Sequence, residues 1–232
     1  MAARQSSEQL PLSIEREPHA ALPHLRPMLP LAADAPFDDP DWFFEPWWPG
    51  ASVLLYIDEG PFRLQTEHLA DPLDAFPELE TIGRQFVDRG LIVEGALLVL
   101  DDEGRPDTDL LRRRLASGVV PARTGQAAIV ASDLLYEHGR SLLSLPFERR
   151  RQRLAAQLTD GERCVFSRGL RGEGLTLADA LASMGLHEIS ARLLSGRYRP
   201  GQQDPGWRRL PVSETPAAHT RPLLAVLQRL PL

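Results

Sequence analysis

The side chains that could carry covalent chemistry are few in this chain, and their types exclude several mechanisms. All 26 basic residues among the 232 are arginines. A guanidinium stays protonated, so it cannot attack a phosphorus or carbonyl centre as a lysine amine does. Cys164 is the single cysteine, which excludes an internal disulfide and a cysteine-based zinc site. No Ser, His and Asp trio has the spacing of a known nucleophile motif.

Three carboxylates and one histidine are the remaining candidates for metal or acid–base chemistry. Glu94, Asp133 and Glu188 could together form a weak metal site, but we favour the alternative that they are hydrogen-bonded structural carboxylates. His187 could act as a base or a ligand, although a lone histidine beside a strand more often packs or faces solvent. We therefore expect neither a bound metal nor another cofactor.

An aromatic residue between two arginines is the best candidate for a nucleic-acid contact. Arg197 and Arg199 flank Tyr198, whose ring could stack on a base. The alternative, which we favour, is that these residues only form a turn. The arginines at 149–151 and 153 lie on a predicted helix and spread around more than one of its faces, so they are weaker candidates.

The elements that must position these residues are predicted from hydrophobic pattern and turn residues. Apolar, β-branched stretches predict strands, and Gly60-Pro61 predicts a hairpin between the first two. The predicted strands are Ala51–Ile57, 62–66, Leu91–Leu100, 127–136, 163–167 and Glu188–Leu193. Turns are predicted at 102–104 and 137–139, and a loop at 196–207.

Helices are predicted where a cap or an N-terminal proline precedes a helical period. They are 74–86 capped by Asp74, 107–114 beginning at Asp107, 146–158 beginning at Pro146, 176–184 capped by Thr176, and a short one within 222–232. Strands and helices alternate irregularly with hairpins, which indicates antiparallel or mixed sheets and the α+β class. We expect a flexible leader at 1–25, one domain at 26–211, and a tail at 212–232.

Composition indicates a globular protein without a membrane span. The chain is 43% hydrophobic and 25% charged, with a net charge of −6. Residues 1–60 hold three arginines and ten acidic side chains, which accounts for the negative net charge. Residues 61–232 are therefore nearly neutral, and nucleic-acid binding by them is not excluded. The apolar runs are too short for a membrane helix, and the polar start does not resemble a signal peptide. We expect a cytoplasmic protein.

A series of short motifs, in unbroken order over about residues 25–211, resembles the ATP-dependent DNA ligase family. The resemblance is greatest to the ligase domain of bacterial end-joining repair ligases. The motifs include Phe44-Glu45-Pro46, Phe76-Pro77-Glu78-Leu79, Leu98-Val99-Leu100-Asp101, Asp133-Leu134-Leu135-Tyr136 and Tyr198-Arg199-Pro200-Gly201. The resemblance implies a nucleotidyltransferase (ATP-grasp-like) adenylation domain. Because the resemblance ends near residue 211, we expect no OB-fold domain.

The residues that carry the family's chemistry are replaced. Family members use Lys-x-Asp-Gly, whose lysine forms a covalent AMP adduct, and the matching positions here are Trp47, Trp48, Pro49 and Gly50. By the same resemblance, the vestiges of the nucleotide site are Glu94, Ser132, His187, Arg192 and Arg209. Ser132 takes the place of an adenine-stacking aromatic, and two of these vestiges are arginines that could still hold a phosphate. The tryptophans could fill the vacated pocket, or be simply core and rim.

These departures predict a domain that has lost adenylation and persists as a binding or scaffolding module in DNA repair, with DNA or a repair protein as partner. The alternative is a nucleotide-binding enzyme of the same family with residual or altered activity, which would use ATP and magnesium. No oligomeric state is predicted.

Overall fold

Two β-sheets face each other and form the frame of the molecule. The computed structural model describes residues 21–66, 72–117, 125–212 and 219–231, and all strands in these ranges belong to the two sheets. The first sheet has the order β1-β11-β10-β2-β9 and the second has the order β4-β3-β5-β6-β7, with β8 beside β6. The first sheet contains β1 (Leu29–Ala32), β2 (Asp38–Pro46), β9 (Leu170–Glu173), β10 (Glu188–Leu193) and β11 (Gln203–Pro211). The second contains β3 (Ala51–Ile57), β4 (Arg63–Thr66), β5 (Leu91–Leu100), β6 (Gln126–Glu137), β7 (Arg140–Ser141) and β8 (Cys164–Phe166).

The second sheet was largely predicted, because its strands are continuous apolar runs. β3 and β5 have the predicted bounds, and β6 and β8 differ from prediction by one residue at each end. β3 and β4 pair antiparallel as the predicted hairpin. β6 turns into β7 through His138 and Gly139, which have φ values of 50° and 72° and so confirm the predicted turn. With the antiparallel and parallel pairs of both sheets, the α+β prediction is confirmed.

Most of the first sheet was not predicted, and part of the prediction there was wrong. No strand was predicted before Ala51, but Asp38 begins β2, whose later residues include the buried Trp42 and Phe44. The predicted loop at 196–207 ends early, because β11 begins at Gln203 and includes Trp207. Pairing with β10 and burial of the large rings outweigh the Gly and Pro content that suggested a loop.

Four α-helices among the described residues lie against the sheets, and two of the predicted starts are corrected. They are α1 (Thr108–Ser117), α2 (Phe147–Gln157), α3 (Gly174–Ser183) and α4 (Leu223–Leu227). Asp107 caps α1 as predicted, because its Oδ1 accepts hydrogen bonds from the backbone N–H groups of Asp109 and Leu110 at 2.9 Å. α2 begins one residue after Pro146. α3 begins at Gly174, so Thr176 lies in its first turn and does not cap it.

The predicted helix at 74–86 is wrong. The segment forms three short 3₁₀ helices, Leu73–Ala75, Pro77–Leu79 and Ile82–Gln85. Pro77 lacks a backbone donor and disfavours helical geometry at the residue before it, so a continuous α-helix is interrupted there. The segment nevertheless buries Phe76, Leu79 and Ile82 against the outer face of the second sheet.

The chain ends relate to the predicted boundaries in two ways. Residues 1–20 of the predicted leader lie outside the described residues, whereas Leu22 and Leu25 are buried against the second sheet. α4 lies within the tail and buries Leu223 and Val226 in the core between the sheets. In the part of the chain described, no helix has the length and apolar character needed to cross a membrane.

Candidate functional site

The cleft between the sheets contains a buried cluster of six charged side chains. Three are acidic, three are basic, and each is at most 8% exposed. They are Glu45 on β2, Glu94 on β5, Asp133 on β6, Arg150 and Arg151 on α2, and Arg192 on β10. We call this set the charge cluster. Because charges of opposite sign are equal in number, the cluster has no formal net charge.

A bulge in β6 brings two of the acids onto the same face. Glu94 pairs with Asp133, but the next pair is Gly95 with Ala131, so Ser132 is the extra residue. An extra residue in one strand re-aims the neighbouring side chains. A Cβ added at Gly95 would lie 2.5 Å from the carbonyl oxygen of Val130, so the close approach of the two strands requires glycine.

Arg192 is the centre of the charge cluster. Its Nη1 lies 2.9 Å from Oε2 of Glu94 and 3.3 Å from Oδ2 of Asp133, and its Nε lies 3.3 Å from Oε1 of Glu45. Its guanidinium also lies 4.0 Å from the ring centroid of Trp207. Burial alone would lower the pKa of Arg192, but the three carboxylates raise it above its ordinary value. Arg192 is therefore a permanent cation already neutralised by protein groups.

Glu94 and Tyr198 form a buried hydrogen bond at the edge of the cluster. The Tyr198 hydroxyl donates to Oε1 of Glu94 at 2.7 Å and accepts from the backbone N–H of Met28 at 2.8 Å. Burial raises the pKa of Glu94, and Arg192 offsets that effect only in part. Burial, followed by the nearby Glu94 charge, raises the pKa of Tyr198 well above its usual value. The phenol therefore acts as a hydrogen-bond donor.

The two arginines of α2 complete the cluster. Arg150 binds Asp133 with two hydrogen bonds, Nε to Oδ1 at 2.9 Å and Nη2 to Oδ2 at 2.8 Å. Arg151 lies between the rings of Phe43 and Phe166, with ring centroids at 4.0 and 4.3 Å. Burial lowers the pKa of Arg151 to about 10, although Glu45 opposes that effect.

The motif Trp47-Trp48-Pro49-Gly50 forms the connection between β2 and β3. Trp48 is buried, and Trp47 is partly buried with its ring centroid 6.2 Å from that of Trp207. A Cβ on Gly50 would lie 2.4 Å from the carbonyl oxygen of Leu97, so this glycine is required by packing whatever the chemistry. The connection therefore lies directly on β5, the strand that carries Glu94.

Trp47 divides the space at this end of the cleft. On one side is a cavity of about 60 Å³, whose lining includes Glu94, Ser132 and Arg192. On the other is an open cleft of about 690 Å³, whose lining includes His187 and Arg209. Trp47 and Gly50 line both. Small-molecule sites typically occupy roughly 300–1,000 Å³, so the inner cavity has room for little more than water.

The structure separates the residues that the sequence grouped as nucleotide-site vestiges. Glu94, Ser132 and Arg192 are in direct contact, with Nη2 of Arg192 3.3 Å from the Ser132 hydroxyl. His187 and Arg209 line the outer cleft, where Arg209 pairs with Glu188 and lies 4.8 Å from the Trp47 ring centroid. Glu188 is therefore remote from the two cluster carboxylates with which it was grouped, and the described residues contain no set of three or more potential metal ligands.

The predicted nucleic-acid triplet is corrected in one position. Tyr198 is 4% exposed and its hydroxyl is bonded, so its ring is not available to stack on a base. Arg197 and Arg199 are exposed on either side of it, and Arg199 pairs with Asp204 at 2.6 Å. Only the two arginines of the triplet can contact a partner.

Sequence reasoning missed Glu45, Arg150 and Arg151 as members of the site. The two arginines were treated as part of a spread of surface charge. Their spacing from Phe147 and Leu154 places them on the buried face of α2, and this was the signal available. Glu45 could be found only through the family motif that contains it.

Comparison with known proteins agrees with this geometry. No protein-family model matches the sequence. The chain is 30% identical to the multifunctional non-homologous end joining protein LigD of Pseudomonas aeruginosa over 161 residues, or 68% of this chain and 19% of that protein. It is 27% identical to LigD of Mycobacterium tuberculosis over 166 residues, or 72% of this chain and 21% of that protein. It thus spans about a fifth of the length of these relatives.

The solved structures give the same result. The structure of mycobacterial DNA ligase D complexed with ATP and MES matches with a TM-score of 0.69 and 26% identity, covering 81% of this chain and 60% of that chain. The fold is therefore that of a nucleotidyltransferase adenylation domain, as the sequence motifs predicted. The chain is homologous to the LigD ligase domain and belongs to the ATP-dependent DNA ligase family.

Proposed function

We propose that this chain is a catalytically degenerate adenylation domain that no longer forms a covalent AMP adduct. It acts as a binding or scaffolding module in DNA repair, the process that the name of its LigD relative gives. The observation that carries the proposal is Trp47, an indole at the position of the family's lysine, with the charge cluster beside it already neutral.

The absence of a nucleophile supports the proposal. The chain has no lysine, and the guanidinium of Arg192 stays protonated and cannot attack a phosphorus atom. The hydroxyl of Tyr198 has a raised pKa and is committed to Glu94. Four serines line the inner cavity: Ser52, Ser132, Ser167 and Ser190. Ser167 donates to Glu45 at 2.6 Å, but Glu45, Glu94 and Asp133 are all paired with arginines.

Charge balance supports it independently. Transfer of AMP requires cations that neutralise a triphosphate as the reaction proceeds. In the charge cluster each guanidinium already has a carboxylate within 4 Å. An incoming phosphate would therefore have to displace a buried ion pair.

The experiment is incubation of the purified protein with α-labelled ATP, magnesium and nicked duplex DNA. An active ATP-dependent DNA ligase treated in parallel is the positive control. We expect neither covalent label that stays on the denatured protein nor sealing of the nick. Stoichiometric label on the protein would refute the proposal.

The partner is DNA or a DNA repair protein, with the exposed Arg197 and Arg199 as the candidate contact. If the partner is DNA, the affinity should fall steeply with salt, because contacts to phosphates release counterions. A mobility-shift series over salt concentration tests this. If the protein does not bind DNA even at low salt, DNA is excluded as the partner and a DNA repair protein remains.

One observation favours the alternative of a domain that still binds a nucleotide. The outer cleft of about 690 Å³ is large enough for one, and it is lined by Trp47, His187 and Arg209. A ligand that binds only the folded state raises the melting temperature. We expect no shift with millimolar ATP and magnesium if the domain has lost nucleotide binding, and a concentration-dependent rise if the alternative holds.

A further inference from the structure

Another cavity lies along α2, and it shares no lining residue with the two cavities at Trp47. It has a volume of about 590 Å³, within the usual range of small-molecule sites. Glu148, Arg151, Gln152 and Ala155 form one side of it, and their spacing places them on one face of the helix. We call this cavity the α2 groove.

The α2 groove has an apolar middle and charged ends. Phe43, Phe166, Leu158 and Leu194 contribute apolar walls. Two ion pairs complete the lining. They are Arg171 to Glu148 at 3.2 Å, and Arg168 to Asp160 at 3.1 Å. Their side chains are 25–59% exposed, so they form the rim. An apolar cavity with a few convergent polar groups is the usual form of a small-molecule site.

Two arginine donors at the groove are not used by the protein. Nη1 of Arg151 and Nε of Arg168 are buried and have no hydrogen-bond acceptor among the described residues. The nearest carboxylate to Nη1 of Arg151 belongs to Glu45 at 3.8 Å, and that carboxylate also pairs with Arg192. Buried donors without acceptors are costly, so a ligand that supplied an acceptor would be favoured.

The charges of the lining also favour an anion. Three arginines, Arg151, Arg168 and Arg171, face two acids, Glu148 and Asp160. Both acids are already paired with rim arginines, and the carboxylate nearest to Arg151, that of Glu45, lies outside the lining and is shared with Arg192. The rings of Phe43 and Phe166 hold its guanidinium in place from both faces. A fixed guanidinium loses less freedom when it binds a carboxylate or a similar anion.

We propose that the α2 groove binds a small organic anion that has an aromatic or aliphatic body. The anionic group pairs with Arg168 and Arg151, and the body packs against Phe166, Leu158 and Leu194. Arg168 is a quarter exposed, so rotation of its side chain is enough to present its free donor. This site does not depend on the proposed function, because none of its lining residues belongs to the cavities at Trp47.

The probe for the test is 8-anilinonaphthalene-1-sulfonate, titrated into the folded full chain by fluorescence and by calorimetry. N-phenyl-1-naphthylamine, which has the same ring system without the sulfonate, is the neutral control. We expect saturable 1:1 binding of the anion, and binding of the neutral compound weaker by about tenfold or more, as loss of a charge-assisted hydrogen bond implies.

Two matched variants locate the site. Ala155→Trp fills the groove from an exposed position of α2, whereas Ala156→Trp adds the same bulk at an exposed neighbour outside the lining. Ala155→Trp should abolish binding and Ala156→Trp should preserve it. Arg168→Gln should weaken binding of the anion by about fivefold or more without changing that of the neutral compound.

Melting temperature and near-UV circular dichroism establish that each variant is folded. The proposal is overturned if the native protein does not bind the probe, if Ala155→Trp binds as the unchanged protein does, or if the neutral compound binds as tightly as the anion. If a variant fails to fold, the outcome is decided by the unchanged protein alone, through the comparison of its binding of the charged and the neutral probe.

Discussion

Arg192 and Glu94 form an ion pair, with Nη1 2.9 Å from Oε2, in the lining of the cavity that Trp47 also lines. The same guanidinium contacts Glu45 and Asp133, so one side chain links its own strand β10 to β2 in the same sheet and to β5 and β6 in the other. A cation of this kind is a structural link between the two sheets. Its removal is therefore the most informative single change.

Arg192→Met should lower the free energy of unfolding by about 3–5 kcal/mol, because it leaves the buried carboxylate of Glu94 without its counterion and removes one of two cations from Asp133 and Glu45. Carboxylates in this state have raised pKa values, so the folded variant gains protons and the loss should be smaller at pH 4.5 than at pH 7. Urea unfolding at the two pH values measures both effects. Arg149→Met, at an exposed position of the same protein, should change stability by less than about 0.5 kcal/mol. An equal effect of the two variants would contradict the role of the cluster.

Glu78→Gln tests a second buried arginine pair through its pH dependence. Arg114 donates to both oxygens of Glu78, at 2.7 and 2.9 Å, and the backbone N–H of Ala127 donates to Oε1 at 3.0 Å. Burial alone would raise the pKa of Glu78, but these hydrogen bonds hold it below its ordinary 4.5. A lowered folded pKa means that the stabilisation is present above pH 4.5 and is lost as pH falls through the folded pKa.

The expected cost of Glu78→Gln is about 1–2 kcal/mol at pH 7, since the pair is partly exposed. The difference between the variant and the unchanged protein should shrink below pH 4.5. Glu80→Gln, two residues away and exposed, should have no such pH dependence. Chemical unfolding from pH 3 to pH 7 measures both variants. A constant difference over that range would show that Glu78 does not act through its charge.

Trp47→Lys should not restore adenylation, although it returns an amine to the position of the nucleophile. The adjoining cavity holds only about 60 Å³, and the carboxylates and guanidinium beside it are already bonded to one another. Incubation with α-labelled ATP and magnesium should leave the variant unlabelled. Covalent label that stays on denatured Trp47→Lys would mean that the pocket remains competent and that only the nucleophile was lost.

Tyr198→Phe separates a structural role from a nucleic-acid contact. Loss of the hydroxyl removes bonds to Glu94 and Met28 and should cost about 1.5–3 kcal/mol, since one partner is charged. Tyr136→Phe, a partly buried tyrosine with no side-chain hydrogen bond among the described residues, should cost less than about 0.5 kcal/mol. Thermal unfolding measures both.

The same tyrosine variant has a second expected outcome if the protein binds DNA. Affinity should be unchanged by Tyr198→Phe, whose ring is buried, and reduced by Arg197→Gln, whose charge is exposed. Loss of one phosphate contact should lower the slope of log affinity against log salt by about one. An effect of the tyrosine change on affinity at constant stability would indicate that Tyr198 contacts DNA directly.

Prediction from sequence succeeded where local pattern and local structure agree. β5 and β6 are long, apolar and buried, so their period required no tertiary information. The prediction of β2 and β11 failed for the opposite reason. Their proline, aspartate and glycine residues indicate a turn locally, and only pairing with β10 and burial of Trp42 and Trp207 make them strands.

The site shows the same division. The absence of lysine follows from the letters of the sequence, because it concerns residue type alone. That Trp47 stands at the position of the family's lysine is implied by the resemblance and stays a prediction. The charge pairing could not be predicted in this way. Three carboxylates are neutralised by Arg192, Arg150 and Arg151, and these side chains come from distant parts of the chain that meet only in the folded protein. The sequence alone determined that no lysine amine is present, and the tertiary structure decided which buried charges pair with one another, since burial makes these pairings strong and only the packed sheets create burial.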